Sequence, residues 1–134
     1  MAHTVKTLHV TPVEYVVIRA AADALEMELS RLVLEGVLEE AHRMGFFVGV
    51  EPPIRRRPKA WTDLPERREQ STSMRFSVSY SLTTFDLLHR VAAYVQVSDS
   101  LFAVGATLRY IANLKKTPPT DRALRKLKLP AQYE

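Results

Sequence analysis

Two stretches decide how this chain reads. The first is Thr4-Val5-Lys6-Thr7-Leu8-His9-Val10, with Thr11-Pro12-Val13-Glu14 directly after it. The second is Met74-Arg75-Phe76-Ser77-Val78-Ser79-Tyr80, seventy residues further on. Side chains on a strand point alternately to its two faces, so alternation of this kind predicts short strands at 4–10 and 74–80. In the second stretch Phe76, Val78 and Tyr80 share the inward face, and Arg75, Ser77 and Ser79 face outward. In the first, Lys6, Leu8 and Val10 face inward, and Val5, Thr7 and His9 face outward.

Each strand runs into a helical pattern. Thr11 suits an N-cap, Pro12 the first helical position, and Glu14 completes a capping box three residues after the cap. Tyr15, Ile18, Ala21, Ala22 and Leu25 then recur at helical spacing, which predicts a helix over 12–26. A second stripe, Leu29, Leu32, Val33, Gly36, Val37 and Ala41, ends near Gly45. After residue 80 the order repeats. Phe85, Leu88, Val91, Ala92 and Val95 form one stripe, Ser98-Asp99-Ser100 a cap cluster, and Leu101, Val104, Leu108 and Ile111 another stripe. The two halves align without gaps at an offset of 70, Leu8 on Val78, Tyr15 on Phe85 and Leu32 on Phe102. Only Ala22/Ala92, Ser30/Ser100 and Leu38/Leu108 are identical, so the repeat lies in pattern rather than identity.

Composition narrows the class. The 134 residues are 46% apolar and 25% charged, as in ordinary globular domains, and contain no cysteine. Disulfide scaffolds, thiolate zinc sites and cysteine nucleophiles are thereby excluded. The four glycines are too dispersed for a phosphate-cradling loop. No apolar run approaches the roughly 20 residues that span a bilayer, and the N-terminus lacks the apolar core of a signal peptide. The expectation is a cytoplasmic protein with no membrane contact. His3, His9, His42 and His89 show no metal-ligand spacing, and no serine stands in a nucleophile motif. The expectation is therefore no enzyme, no metal and no cofactor.

The net charge of +4 is unevenly spread: −3 over residues 1–45, +2 over 46–72, +1 over 73–113 and +4 over 114–134. A basic connector and tail suit a polyanion, or serve solubility alone.

A strand, an immediately capped helix and a second helix, occurring twice, resemble the ribbon-helix-helix DNA-binding family of the Arc/MetJ type. The tandem order resembles the TraY-type conjugation accessory proteins in architecture. The resemblance implies a mainly α fold with a short β ribbon, built from two ribbon-helix-helix units forming a pseudo-symmetric pair within the chain. Unit 1 spans 1–45, a Pro/Arg-rich connector 46–72, unit 2 spans 73–113, and a basic tail 114–134. It further implies that the paired strands enter the major groove, so that Arg75, Ser77, Ser79, Thr7, His9 and Val5 meet base edges. Gln96-Val97-Ser98-Asp99-Ser100 is close to the family's Gly-Val-Ser-x-Ser, which implies phosphate contact at Ser98, Asp99 and Ser100. Unit 1 departs from the family, with Val5 at a position usually polar or basic, Lys6 on the apolar face, and Glu26 and Glu28 at the phosphate turn. Unit 2 is thus expected to do most of the reading.

Arg55, Arg56 and Arg57, with Lys59 and Trp61, form either a phosphate clamp with a stacking residue or a solvated loop. A short basic helix is expected over 121–128, either adding phosphate contacts or docking a protein partner through the tail 114–134. The function so read is sequence-specific double-stranded DNA binding, by a transcriptional regulator or a plasmid transfer or partition factor, as a monomer or a higher assembly on DNA. The competing reading is a protein–protein adaptor or antitoxin.

Overall fold

A computed structural model of the chain describes residues 3–50, 74–117, 122–130 and 133. Arg55, Arg56, Arg57, Lys59 and Trp61 lie outside the described residues. The elements are β1 (His3–Val10), α1 (Pro12–Ala24), α2 (Leu29–Arg43), β2 (Met74–Ser81), α3 (Leu82–Tyr94), α4 (Asp99–Lys116) and α5 (Arg122–Arg125). The fold is mainly helical, with β1 and β2 paired antiparallel as a two-stranded ribbon. Among the described residues no single helix is long and apolar enough to cross a membrane.

Local chemistry sets the element ends. The Thr11 hydroxyl accepts from the Glu14 N–H at 3.1 Å, and the Glu14 carboxylate accepts from the Thr11 N–H at 2.9 Å, which closes the expected capping box. Ser81 and Ser98 cap α3 and α4 in the same way, accepting from the Thr84 and Leu101 N–H groups. Three helices end in the same hydrogen-bonded turn. The N–H of Met27 reaches the Ala22 carbonyl, that of Val97 the Ala92 carbonyl, and that of Phe46 the Ala41 carbonyl. Such turns need a left-handed residue just past the helix. Gly45 takes that position at φ 87°, but the other two hold Glu26 (φ 53°) and Gln96 (φ 60°). No glycine marks those two ends, although the backbone geometry is the one glycine favours.

A lone two-stranded ribbon is marginal in water and needs a packed face. Leu8, Val10, Val78 and Tyr80 supply that face and are all buried. The strands pack crosswise, β1 against α4 and β2 against α2, while α2 and α4 make the main helix–helix contact. The core therefore draws on both halves of the chain at once.

The tail differs from expectation. Its helix is a single turn, Arg122–Arg125, rather than the whole of 121–128. Leu124, Leu129 and Tyr133 are all buried. Arg122, Arg125, Lys126 and Lys128 stay exposed.

One polar group in the core is costly. Tyr80 is 1% exposed, and its hydroxyl has no hydrogen-bond partner among the described residues. Burial pushes its pKa well up, and the Asp99 charge adds to the rise, so the phenol stays neutral. An unsatisfied buried hydroxyl costs about 1–3 kcal/mol. Tyr80→Phe is accordingly expected to raise the thermal midpoint by a few degrees. A lowered midpoint in the melting curve would mean that the hydroxyl is bonded.

Candidate nucleic-acid interface

The ribbon register arranges the outward side chains in three cross-strand pairs: His9 opposite Arg75, Thr7 opposite Ser77, and Val5 opposite Ser79. All six are exposed, as the alternation predicts. Side chains directly opposite on an antiparallel pair lie about 4.5–5.5 Å apart, so each pair presents one joint surface. The result is a narrow raised strip two side chains wide, and a major groove about 12 Å wide admits a two-stranded ribbon. Arg75 forms no ion pair with a described residue, which leaves its guanidinium available at the surface.

The ends of the strip are fixed by two serines, each from the first turn of a helix in the opposite half. The Ser100 hydroxyl accepts from the His9 N–H at 2.8 Å and donates to the His9 carbonyl at 3.3 Å. The Ser30 hydroxyl accepts from the Ser79 N–H at 3.4 Å. The N-terminus of α4 therefore stands beside the His9/Arg75 end, and that of α2 beside the Val5/Ser79 end. Ser30 and Ser100 form the only identical polar pair between the halves, which was the signal available in the sequence for this role.

The side chains expected at a phosphate are engaged within the protein. Ser98 caps α4, and Ser100 holds the His9 backbone. The Asp99 carboxylate, 14% exposed, accepts from His89 Nδ1 at 3.1 Å and lies 3.9 Å from Lys6 Nζ. With those side chains taken, the groups of this turn left for an anion are first-turn backbone N–H groups, which have no partner within a helix. Lys6, out of place on an apolar strand face, is explained by that ion pair, which also offsets the negative charge at the start of α4. The start of α2 is different: its N-cap Glu28 makes no side-chain cap bond, and Glu26 and Glu28 are exposed. Carboxylates there oppose an approaching anion.

A separate cleft of about 390 Å³ lies between the C-terminal halves of α2 and α4 and reaches Tyr133. Its buried Glu40 carboxylate binds Arg43 and stands 3.6 Å from Arg109, and with Lys116 also in the lining the cleft carries three bases against one acid.

Comparison with protein-family models, with curated proteins and with solved structures finds no match to this chain.

Proposed function

We propose that this chain is a sequence-specific double-stranded DNA-binding protein of the ribbon-helix-helix type, with both units in one polypeptide and the ribbon as its reading element. Its role would be that of a transcriptional regulator or an accessory factor in plasmid transfer or partition.

The observation that carries the reading is the exposed strip of His9, Arg75, Thr7, Ser77, Val5 and Ser79, backed by a ribbon face that is mostly apolar apart from Thr4 and Lys6. An Arg guanidinium suits guanine, and small hydroxyls suit any base edge. Approximate twofold symmetry of two tandem units is supported by the register. At an offset of 70, Thr7 corresponds to Ser77, and these two face one another, so the axis passes between them. The Ser30 and Ser100 bonds and the left-handed Glu26 and Gln96 correspond at the same offset. Backbone N–H groups at the start of α4, the exposed bases of the tail, and Arg55, Arg56 and Arg57 in the connector would add phosphate affinity.

Binding titrations on duplexes test this. The wild type is expected to bind with a steep loss of affinity as salt rises. Arg75→Ala should cost about 1–3 kcal/mol of discrimination at one base pair and leave non-specific binding unchanged. Neutralising Arg55, Arg56 and Arg57 together should weaken all duplexes alike and flatten the salt slope. Failure of the wild type to bind duplex DNA at low salt would overturn the reading in favour of an adaptor or antitoxin acting through 46–72 or 114–134.

A further inference from the structure

We infer that the DNA site of this chain is directional rather than palindromic, with a guanine at the end under Arg75 and His9 and a thymine methyl at the end under Val5 and Ser79. The inference rests on the ribbon being a DNA reader and says what that reader prefers.

A ribbon of two identical strands presents the same surface at both ends, and so takes a palindromic site. Each end of such a ribbon combines one residue from near the start of one strand with one from near the end of the other. Here the two start positions hold Val5 and Arg75, and the two end positions hold His9 and Ser79. Antiparallel pairing sorts them unequally. One end receives the guanidinium and the imidazole, and the other an aliphatic side chain and a small hydroxyl. The sequence alone suggested that the second half of the chain would dominate the reading. The register instead places His9, from the first half, beside Arg75, so the division runs between the ends of the ribbon and not between the halves.

The flanks repeat the division. At the Arg75/His9 end stands the start of α4, capped by Ser98, with Asp99 facing Lys6 and His89. At the Val5/Ser79 end stands the start of α2, uncapped and carrying exposed Glu26 and Glu28. Phosphates are favoured at the first end and disfavoured at the second.

Val5 is 67% exposed. Such a β-branched side chain on the outer face cannot donate or accept a hydrogen bond, and the only apolar mark in the major groove is the thymine methyl. Val5 and Arg75 stand four positions apart along the ribbon. That is about 13 Å at roughly 3.3 Å per residue, or about four base-pair steps of roughly 3.4 Å.

The test begins with selection of bound duplexes from a random pool by the full-length chain. A non-palindromic consensus is expected, with guanine and thymine about four steps apart. On that duplex, guanine to adenine at the Arg75 position should weaken binding about tenfold to a hundredfold. Deoxyuridine in place of the thymidine, which removes only the methyl, should weaken it about fourfold. The exposed-site variant Val5→Arg should shift the consensus towards a palindrome with guanine at both ends. A palindromic consensus from the wild type, or an unchanged consensus from Val5→Arg, would overturn the directional reading while leaving DNA binding in place. Absence of any enrichment, together with no salt-dependent retention of duplex, would overturn DNA binding itself.

Discussion

Leu8→Asp is expected to abolish cooperative unfolding, while Ser77→Ala, one cross-strand position away on the other face, leaves the melting curve nearly unchanged. Leu8 is 0% exposed and lies opposite Phe76 on the inward side of the ribbon. A carboxylate there is desolvated with no cation opposite it, at a cost of several kcal/mol, and the leucine's own packing is lost as well. A domain of this size has roughly 5–15 kcal/mol in hand, so the loss takes most of it. The equivalent change on the other strand, Val78→Asp, is the weaker experiment. The register sets Val78 opposite Lys6, whose ammonium offers the new charge a partner. Ser77 is exposed, and its truncation should stay within about 0.5 kcal/mol. Thermal denaturation followed by circular dichroism ranks the three. A slip of one residue in the register would move every side chain to the other face. In that case Ser77→Ala would be the damaging change and Leu8→Asp the mild one.

What the sequence made legible is what local chemistry determines. Alternation at 4–10 and 74–80 located both strands and both faces, and the Thr11–Glu14 box located the start of α1. The stripes located α1 and α2 to within about two residues, while α3 starts three residues before Phe85 and α4 runs five residues past Ile111. Three features were not legible, each for its own reason. The left-handed Glu26 and Gln96 carry no glycine signal, because the hydrogen bonds of the turn hold the backbone there regardless of residue type. The engagement of Asp99 by Lys6 joins residues from opposite halves of the chain, and no local spacing encodes it. The early end of α5 carries no local signal: Leu129 and Tyr133 are buried beyond it, a tertiary fact that the spacing of Leu124 and Leu127 does not encode.

The same division separates the site's residues from their roles. Alternation was enough to place Arg75, Ser77, Ser79, Thr7, His9 and Val5 on one surface. It could not say which of them stand together, since that depends on how two strands seventy residues apart align. Nor could it say that the Asp99 side chain is taken up by Lys6 and His89 and that of Ser100 by the His9 backbone. A serine that bonds a strand backbone and one that bonds a phosphate have the same sequence signature at a helix start. The difference lies in which backbone packs beside it.

Gly36 carries the other large expected effect, and it separates two physical terms of opposite sign. In the middle of a helix, Gly→Ala ordinarily stabilises by about 1 kcal/mol through backbone entropy. Gly36 sits where α2 crosses α4. A methyl built on it lies 2.8 Å from Thr107 Cα, 3.1 Å from the Thr107 N and 3.1 Å from the Ala106 carbonyl oxygen. All three are backbone atoms, so no rotamer change relieves the contact and the two helices must move apart. Leu32, Val33 and Val37 on α2, with Phe102, Ala103 and Ala106 on α4, are buried at or beside that crossing and loosen with it. Overpacking of this kind costs about 1–3 kcal/mol, and the crossing helices also hold the two strands through β1 on α4 and β2 on α2. Gly36→Ala is therefore expected to lower the thermal midpoint by several degrees despite its better helix propensity. Gly36→Val, with two further methyls at the same place and poorer propensity than alanine, is expected to lose the cooperative transition near 37 °C. A rise in the midpoint of Gly36→Ala would show that backbone entropy outweighs the contact, and that α2 and α4 have room to separate.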